Sequence, residues 1–311
     1  MRLGYRMEDP NKKVVDKPPA ELRLGYTTVS PFSVEDYLKW DKILTRTRQP
    51  VPLVNVGDEK VTVALPWEKS KLYVLPLFLE ALSNLRINEN TEFYFTIDAH
   101  PAPERWSKEG RSRHGARERR ERVAVCHNRC REYALDNDSD YLWVIETDLL
   151  PTPDAYRRLR TLFVRHRADV AVLPYTWHYV SDKGPLNPKT PLLGWRGTYP
   201  RLTSIVLSDF LLERYPAQLT TGGFGCTMFN RHVFEKEFEL DDGFWCTDGV
   251  FARRVDKERL KVLADNRLFI QHVCCKSCFQ MGYGTYREDW NVQTEVEKVL
   301  KDKKLTIEVE T

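Results

Sequence analysis

The 311-residue sequence has no apolar run long enough to cross a bilayer. Its most apolar helical stretch, residues 72–85, is broken by Pro76, Glu80, Ser83 and Asn84, whereas a span needs about 20 mostly apolar residues. A secretory-type leader is not expected either, because Glu8, Asp9 and Pro10 interrupt the segment behind Arg2 and Arg6. A cytoplasmic protein with no membrane span is expected from these two absences. Net charge of one sign is also missing. The 48 Lys and Arg stand against 45 Asp and Glu, a formal charge of +3, so general attraction to nucleic acid or acidic lipid is not expected. Seven cysteines, an odd number, exclude a fully paired disulfide framework. Neither an internal repeat nor a second core-forming region is visible.

What is present points to a folded core. Hydrophobic residues make up 41% of the chain, with 8 Trp, 14 Tyr and 14 Phe, which is incompatible with global disorder. Residues 1–60 carry Pro10, Pro18, Pro19, Pro31, Pro50 and Pro52 and read as a Pro-rich extension. From residue 61 strands and helices alternate. Residues 61–65, 92–97, 141–145 and 170–173 read as strands, separated by helices at 70–85, about 116–135 and 153–166. That rhythm predicts an α/β fold with a doubly wound, mostly parallel sheet flanked by helices. After Trp177 a long Gly- and Pro-rich stretch covers residues 178–203. A strand at 224–229, a helix starting near Asp248 and a last strand at 268–273 follow. The main domain is expected at 61–284, with a charged tail at 285–311 that is helical over 292–300.

Chemistry is expected at the carboxyl ends of the parallel strands, where open α/β sheets bind ligands. Asp98 ends the second strand, and Glu146-Thr147-Asp148 follows the third. Acids two residues apart recur elsewhere, at Asp136/Asp138 and Glu235/Glu237 for example, so the spacing alone says little. The distinguishing context of Glu146 and Asp148 is the apolar run Tyr-Leu-Trp-Val-Ile directly before them. Carboxylates so close behind a buried strand need a partner. They either hold a ligand or cap the next element.

The stretch 140–148 resembles the DxD-type motif of GT-A fold glycosyltransferases, of the family 2-like, nucleotide-sugar-dependent kind. The resemblance extends over most of residues 61–280. The first strand with Pro66 is similar to the family's opening β-α unit, and Asp98 matches the acid that reads the nucleobase. His127-Asn128-Arg129 resembles an element near the nucleotide, with Arg122 an alternative to Arg129. Thr221-Gly222-Gly223-Phe224-Gly225 looks like the acceptor-side glycine segment. Phe244-Trp245-Cys246-Thr247-Asp248 is similar to the helix start that carries the catalytic acid. The resemblance implies a nucleotide-diphosphate sugar donor, an acceptor hydroxyl on a carbohydrate, lipid-linked group or protein, and a divalent cation, Mn²⁺ or Mg²⁺. It implies Asp148 on the metal and Asp248 as general base, with Glu146 and Thr147 at the nucleotide sugar. His272 is either a second metal ligand or a satisfied core histidine. Asp248 is also well placed as a helix cap, and the two roles are compatible.

Two other function classes fit part of the sequence. A nucleotidyltransferase would use the same kind of sheet, but it normally has a Gly-rich basic loop after the first strand, and Pro66-Trp67-Glu68-Lys69-Ser70 is not one. A non-enzymatic nucleic-acid or partner-binding protein would use residues 105–122, where eight Arg and Lys face three Glu. Cys274, Cys275 and Cys278 form a cluster without a fourth ligand at zinc-finger spacing, and packing or an adventitious disulfide is the plainer reading.

Overall fold

A computed structural model of the chain describes residues 51–98, 113–175, 191–206, 210, 213–240, 247–268, 270–272 and 291–310. The expected strands form where apolar residues fill both faces of the chain. In β1 (Val61–Glu68) Val61, Val63, Leu65 and Trp67 are buried on one side of the sheet, while Thr62 and Ala64 are buried on the other. β2 (Thr91–Asp98) and β3 (Tyr141–Ile145) are built the same way, as expected of strands covered on both faces. β1 pairs in parallel with both of them, Ala64 lying opposite Tyr94 and Val144.

Later strands are β4 (Leu149–Leu150), β5 (Val170–Val172), β6 (Pro191–Thr198), β7 (Arg201–Val206), β8 (Ala217–Leu219) and β9 (Thr221–Gly222). They are followed by β10 (Cys226–Asn230), β11 (Val262–Ala264), β12 (Gln271–His272) and β13 (Lys304–Glu310). Eight of these strands make the main sheet in the order β13-β2-β1-β3-β10-β5-β11-β8. All run in one direction except β10 and β8. The fold is therefore the expected α/β, mostly parallel sheet.

Helices cover both faces. A 3₁₀ turn (Lys69–Val74) leads into α1 (Leu75–Ser83), so the single helix expected from residue 70 is split at Pro76, which takes a helix N-terminal position. α2 (Arg113–Asp136), α3 (Ala155–His166), α4 (Arg231–Phe234), α5 (Thr247–Glu258) and α6 (Val292–Val299) complete the set. α1, α3 and α6 bury Phe78, Leu79, Leu159, Leu162 and Val296 against one face. α2 and α5 bury Cys130, Ala134, Phe251 and Val255 on the other.

Three details differ from the sequence expectation. The strand near 224–229 starts at Cys226 and is antiparallel, with Cys226 opposite Ile145. Part of the Gly- and Pro-rich stretch is ordered as the β6–β7 hairpin, which pairs with β9 through Gly194 and Gly222. Beyond the helical part of the tail, Lys304–Glu310 forms β13 and lengthens the sheet alongside β2, so the sheet extends past the boundary expected at 284. Alternation in Leu305, Ile307 and Val309 is the signal for that strand, partly hidden by its charged neighbours. Among the described residues no helix is long and apolar enough to cross a membrane.

Candidate functional site

The strand order reverses between β1 and β3. The chain passes from β1 to β2 on one side and returns to add β3 on the other. Segments leaving the carboxyl ends of β1 and β3 meet here, at the crevice where such sheets usually bind ligands. Lys71 lies on the 3₁₀ turn after β1, and Glu146, Thr147 and Asp148 lie on the turn after β3. That turn is closed by the Leu149 N–H donating to the Glu146 carbonyl at 3.0 Å, which places Thr147 and Asp148 at its corner.

The antiparallel course of β10 brings the glycine segment to the same place. The Glu146 N–H donates to the Gly225 carbonyl at 2.7 Å, and the Gly225 N–H donates to Tyr175 Oη at 3.1 Å. A Cβ on Gly225 would stand 2.5 Å from Tyr175 Oη, 2.7 Å from Leu149 Cδ1 and 2.9 Å from Glu146 Oε2. Only glycine leaves room for these three groups to converge. Gly222 is similarly tight, since its Cβ would meet Val172 Cγ1 at 2.8 Å. The Gly223 carbonyl accepts from Thr227 Oγ1 at 2.8 Å.

Asp148 is almost fully buried. Its Oδ2 receives the Lys71 ammonium and also lies 3.3 Å from His272 Nε2. β12 delivers His272 by pairing antiparallel with β4, His272 opposite Leu149, and the imidazole packs edge-on against Tyr175 at 5.5 Å. Asp148 Oδ1 is buried with no hydrogen-bond partner. Burial by itself would raise the Asp148 carboxyl, but Lys71 and then His272 overcome it and hold the group well below the usual carboxylate range. Glu146 behaves oppositely. Burial, then the Asp148 charge, pushes it up to about 7 against the pull of Lys71 and His272. The site thus holds one acid that stays ionised and one that exchanges a proton near neutrality.

Asp248 enters from the other side of the crevice, in the first turn of α5. Its carboxylate accepts from the Gly249 N–H at 2.8 Å, and its carbonyl accepts from Thr221 Oγ1 at 2.7 Å, which ties the helix start to β9. The Asp248 charge helps to raise both Glu146 and the Tyr175 phenol, so it faces the same cluster.

The remaining sequence candidates fall at different places. Pro66 lies in β1 opposite Thr96, and Asp98 ends β2 opposite Glu68, both at the carboxyl edge of the sheet. Arg129, on α2, sets its guanidinium 3.8 Å from Glu308 of β13. Trp245, the Cys274/Cys275/Cys278 cluster and residues 105–112 of the basic stretch lie outside the described residues, while residues 113–122 begin α2. His127 and Asn128 support the α5 side. His127 Nδ1 is 3.3 Å from Thr247 Oγ1, with its ring 5.4 Å from Phe224. Asn128 exchanges hydrogen bonds with the Phe238 backbone at 2.8 and 3.0 Å.

Burial pushes the His127 imidazole down from 6.5 to about 4. It is therefore neutral when folded and protonated more readily when unfolded, so its contribution is complete above pH 6.5 and lost as pH falls toward 4. That loss amounts to at most about 3 kcal/mol. Urea unfolding of His127→Gln across this window should show a flatter acid limb than the native protein. Identical pH dependence in the two proteins would contradict it.

Sequence reasoning passed over Lys71 and Tyr175. The signal for Lys71 was a pair of lysines, Lys69 and Lys71, just past a strand end, set opposite acids on the neighbouring parallel strand. Tyr175 follows the buried Val-Ala-Val of β5, an aromatic just beyond a strand end.

No protein-family model and no curated protein matches the sequence. Solved structures similar to the chain include the mannosyltransferase PcManGT from Pyrobaculum calidifontis in complex with GDP-Man and Mn²⁺, at 12% identity and TM-score 0.43, covering 84% of this chain and 76% of that one. A197 from STIV is similar at 14% identity and TM-score 0.40, over 70% of this chain and 87% of that one. S. aureus TarS 1-349 in complex with UDP-GlcNAc is similar at 10% identity and TM-score 0.40, over 78% of this chain, which spans 64% of the TarS fragment. Likenesses of this depth assign neither activity nor ligand.

Proposed function

We propose that the chain is a glycosyltransferase that moves a sugar from a nucleotide-diphosphate sugar donor to an acceptor hydroxyl. The observation that carries this reading is the buried Asp148 at the switch point, with one carboxylate oxygen lacking any partner. An unpaired buried acceptor is costly, and it persists where a ligand satisfies it. Glu146, Thr147 and Asp148 face the donor, with Pro66, Asp98 and Arg129 on the nucleotide side and Gly222 and Gly223 on the sugar and acceptor side, a role the family resemblance also implies for Trp245. Asp248 takes the proton from the acceptor hydroxyl.

A divalent cation, Mn²⁺ or Mg²⁺, fits part of this set. Asp148 offers one unpartnered oxygen, Oδ1, and His272 an imidazole 3.3 Å from the other, Oδ2, although no group of three His, Cys, Asp or Glu side chains able to hold a metal ion is found among the described residues. Asp148 and His272 would hold the ion, with diphosphate oxygens completing its shell. When bound, it would neutralise charge on the leaving diphosphate.

A thermal-shift screen of UDP, GDP and ADP, each with and without Mn²⁺, tests the reading. At about a hundredfold excess over Kd one of them should raise Tm by about 5 °C or more. Incubation with the matching nucleotide sugar should then release free nucleoside diphosphate. Release of pyrophosphate from a nucleoside triphosphate and a sugar 1-phosphate would instead make the protein a nucleotidyltransferase, and no shift with any nucleotide would remove the proposal.

A further inference from the structure

Lys71 occupies the Asp148 oxygen nearest His272, where an ion held by both residues would sit. Its ammonium sits on Oδ2, the oxygen that His272 Nε2 also approaches. The two charges come from the segments that follow the neighbouring strands β1 and β3, so the pair ties those segments together at the carboxyl edge of the sheet. Their mobilities differ. Asp148 is 4% exposed and held in a closed turn, whereas the Lys71 side chain is 25% exposed on a flexible four-carbon stem. The ammonium can therefore leave, and the carboxylate cannot follow it.

We propose that Lys71 is an internal stand-in cation that keeps free divalent metal off Asp148 and gives up the carboxylate when a nucleoside diphosphate enters. The inference deepens the glycosyltransferase reading and rests on it for the identity of the ligand. The physical basis is charge. An ammonium and a divalent ion on one carboxylate repel each other, and displacing Lys71 from Asp148 strands a half-buried positive charge. A diphosphate changes both costs, because its oxygens accept the ammonium and share the metal. Lys71 would thus move from Asp148 to the diphosphate, a shift of a few ångströms at the end of its stem. No bond is made or broken, and metal binding becomes dependent on nucleotide.

The test uses the full-length protein and measures free Mn²⁺ by electron paramagnetic resonance, without reference to transfer. Titrated with Mn²⁺ alone, Lys71→Met should bind at least tenfold more tightly than the native protein. Lys71→Arg, which keeps a cation on Asp148, should bind as weakly as the native protein. Adding UDP or GDP should strengthen Mn²⁺ binding more in the native protein than in Lys71→Met. Mn²⁺ binding by Lys71→Met no tighter than native overturns the proposal, and so does tight binding by Lys71→Arg or by Lys71→Met/Asp148→Asn. Should Lys71→Met fail to fold, the decision rests on Lys71→Arg and on whether nucleotide strengthens native Mn²⁺ binding. If the Mn²⁺-only results hold while no nucleotide has any effect, Lys71 still guards a metal position and the glycosyltransferase reading fails on its own.

Discussion

Asp148→Asn should lower transfer by about 10²–10³-fold or more, the range found when one preorganised charged or polar group is removed from a reacting centre. Asparagine keeps the volume of the side chain and removes its charge, so the fold should survive. Stability should fall, because Lys71 loses its counter-ion. Breaking a fully buried pair costs about 3–5 kcal/mol, but Lys71 is partly hydrated and the expected loss is nearer about 2 kcal/mol. The sign with pH is fixed. The Asp148 carboxyl is depressed in the folded chain, so its stabilisation is present above its ordinary 3.8 and is lost only as acid protonates it. At neutral pH the whole loss should therefore be visible in chemical denaturation.

The same substitution should also move Glu146. Its carboxyl is raised to about 7 by burial first and by the Asp148 charge second. Removing that charge, and freeing Lys71 to act on Glu146 alone, both lower it. The acid limb of the residual pH–rate profile should shift to lower pH, with the two acids titrating as a coupled pair in the native protein. A profile unchanged in position would show that Glu146 and Asp148 do not share a field.

Much of this site was legible in the sequence because it sits at strand ends. A buried strand declares itself by its apolar run, and the first charged residues after it must lie at the edge of the sheet. Asp98 and Glu146-Thr147-Asp148 were placed by that rule alone, and both lie where it puts them. Position on a helix was harder to read. The triplet His127-Asn128-Arg129 looked like one functional unit, yet His127 and Asn128 turn toward Thr247 and Phe238 while Arg129 turns toward Glu308. Three successive helical residues point about 100° apart and cannot share a target. The antiparallel course of β10 was also hidden, since strand direction leaves no mark on apolar periodicity. That reversal puts Gly225 against Glu146. Lys71 was invisible for a further reason. It matters because of a partner 77 positions away, and only the β1–β3 pairing brings the two together.

Asp248→Asn should separate two roles that one residue combines. The carboxylate accepts the Gly249 N–H within the first turn of α5, and Thr221 holds the backbone of the same residue through its carbonyl. Asparagine can make the first contact and leaves the second untouched, and it suits a helix start about as well as aspartate. Stability should therefore change by less than about 0.5 kcal/mol. Nucleotide binding, which the proposed function assigns to the β1 and β3 side of the crevice, should also persist. Transfer to the acceptor should fall by about 10²–10⁴-fold, the contribution expected of a positioned general base. Asp248→Ala should lose transfer to the same extent and in addition lose about 1 kcal/mol of stability, because the amide of the first turn is then left to water. Helix-start carboxylates have a well-known alternative, a purely capping role, and the two variants separate it. A cap predicts that stability falls in the alanine variant while both variants keep their activity. A base predicts that both lose transfer while only the alanine variant loses stability. Activity near the native rate in Asp248→Asn would move the proton acceptor elsewhere, and Glu146, already poised near neutrality in the same cluster, would be the next residue to test.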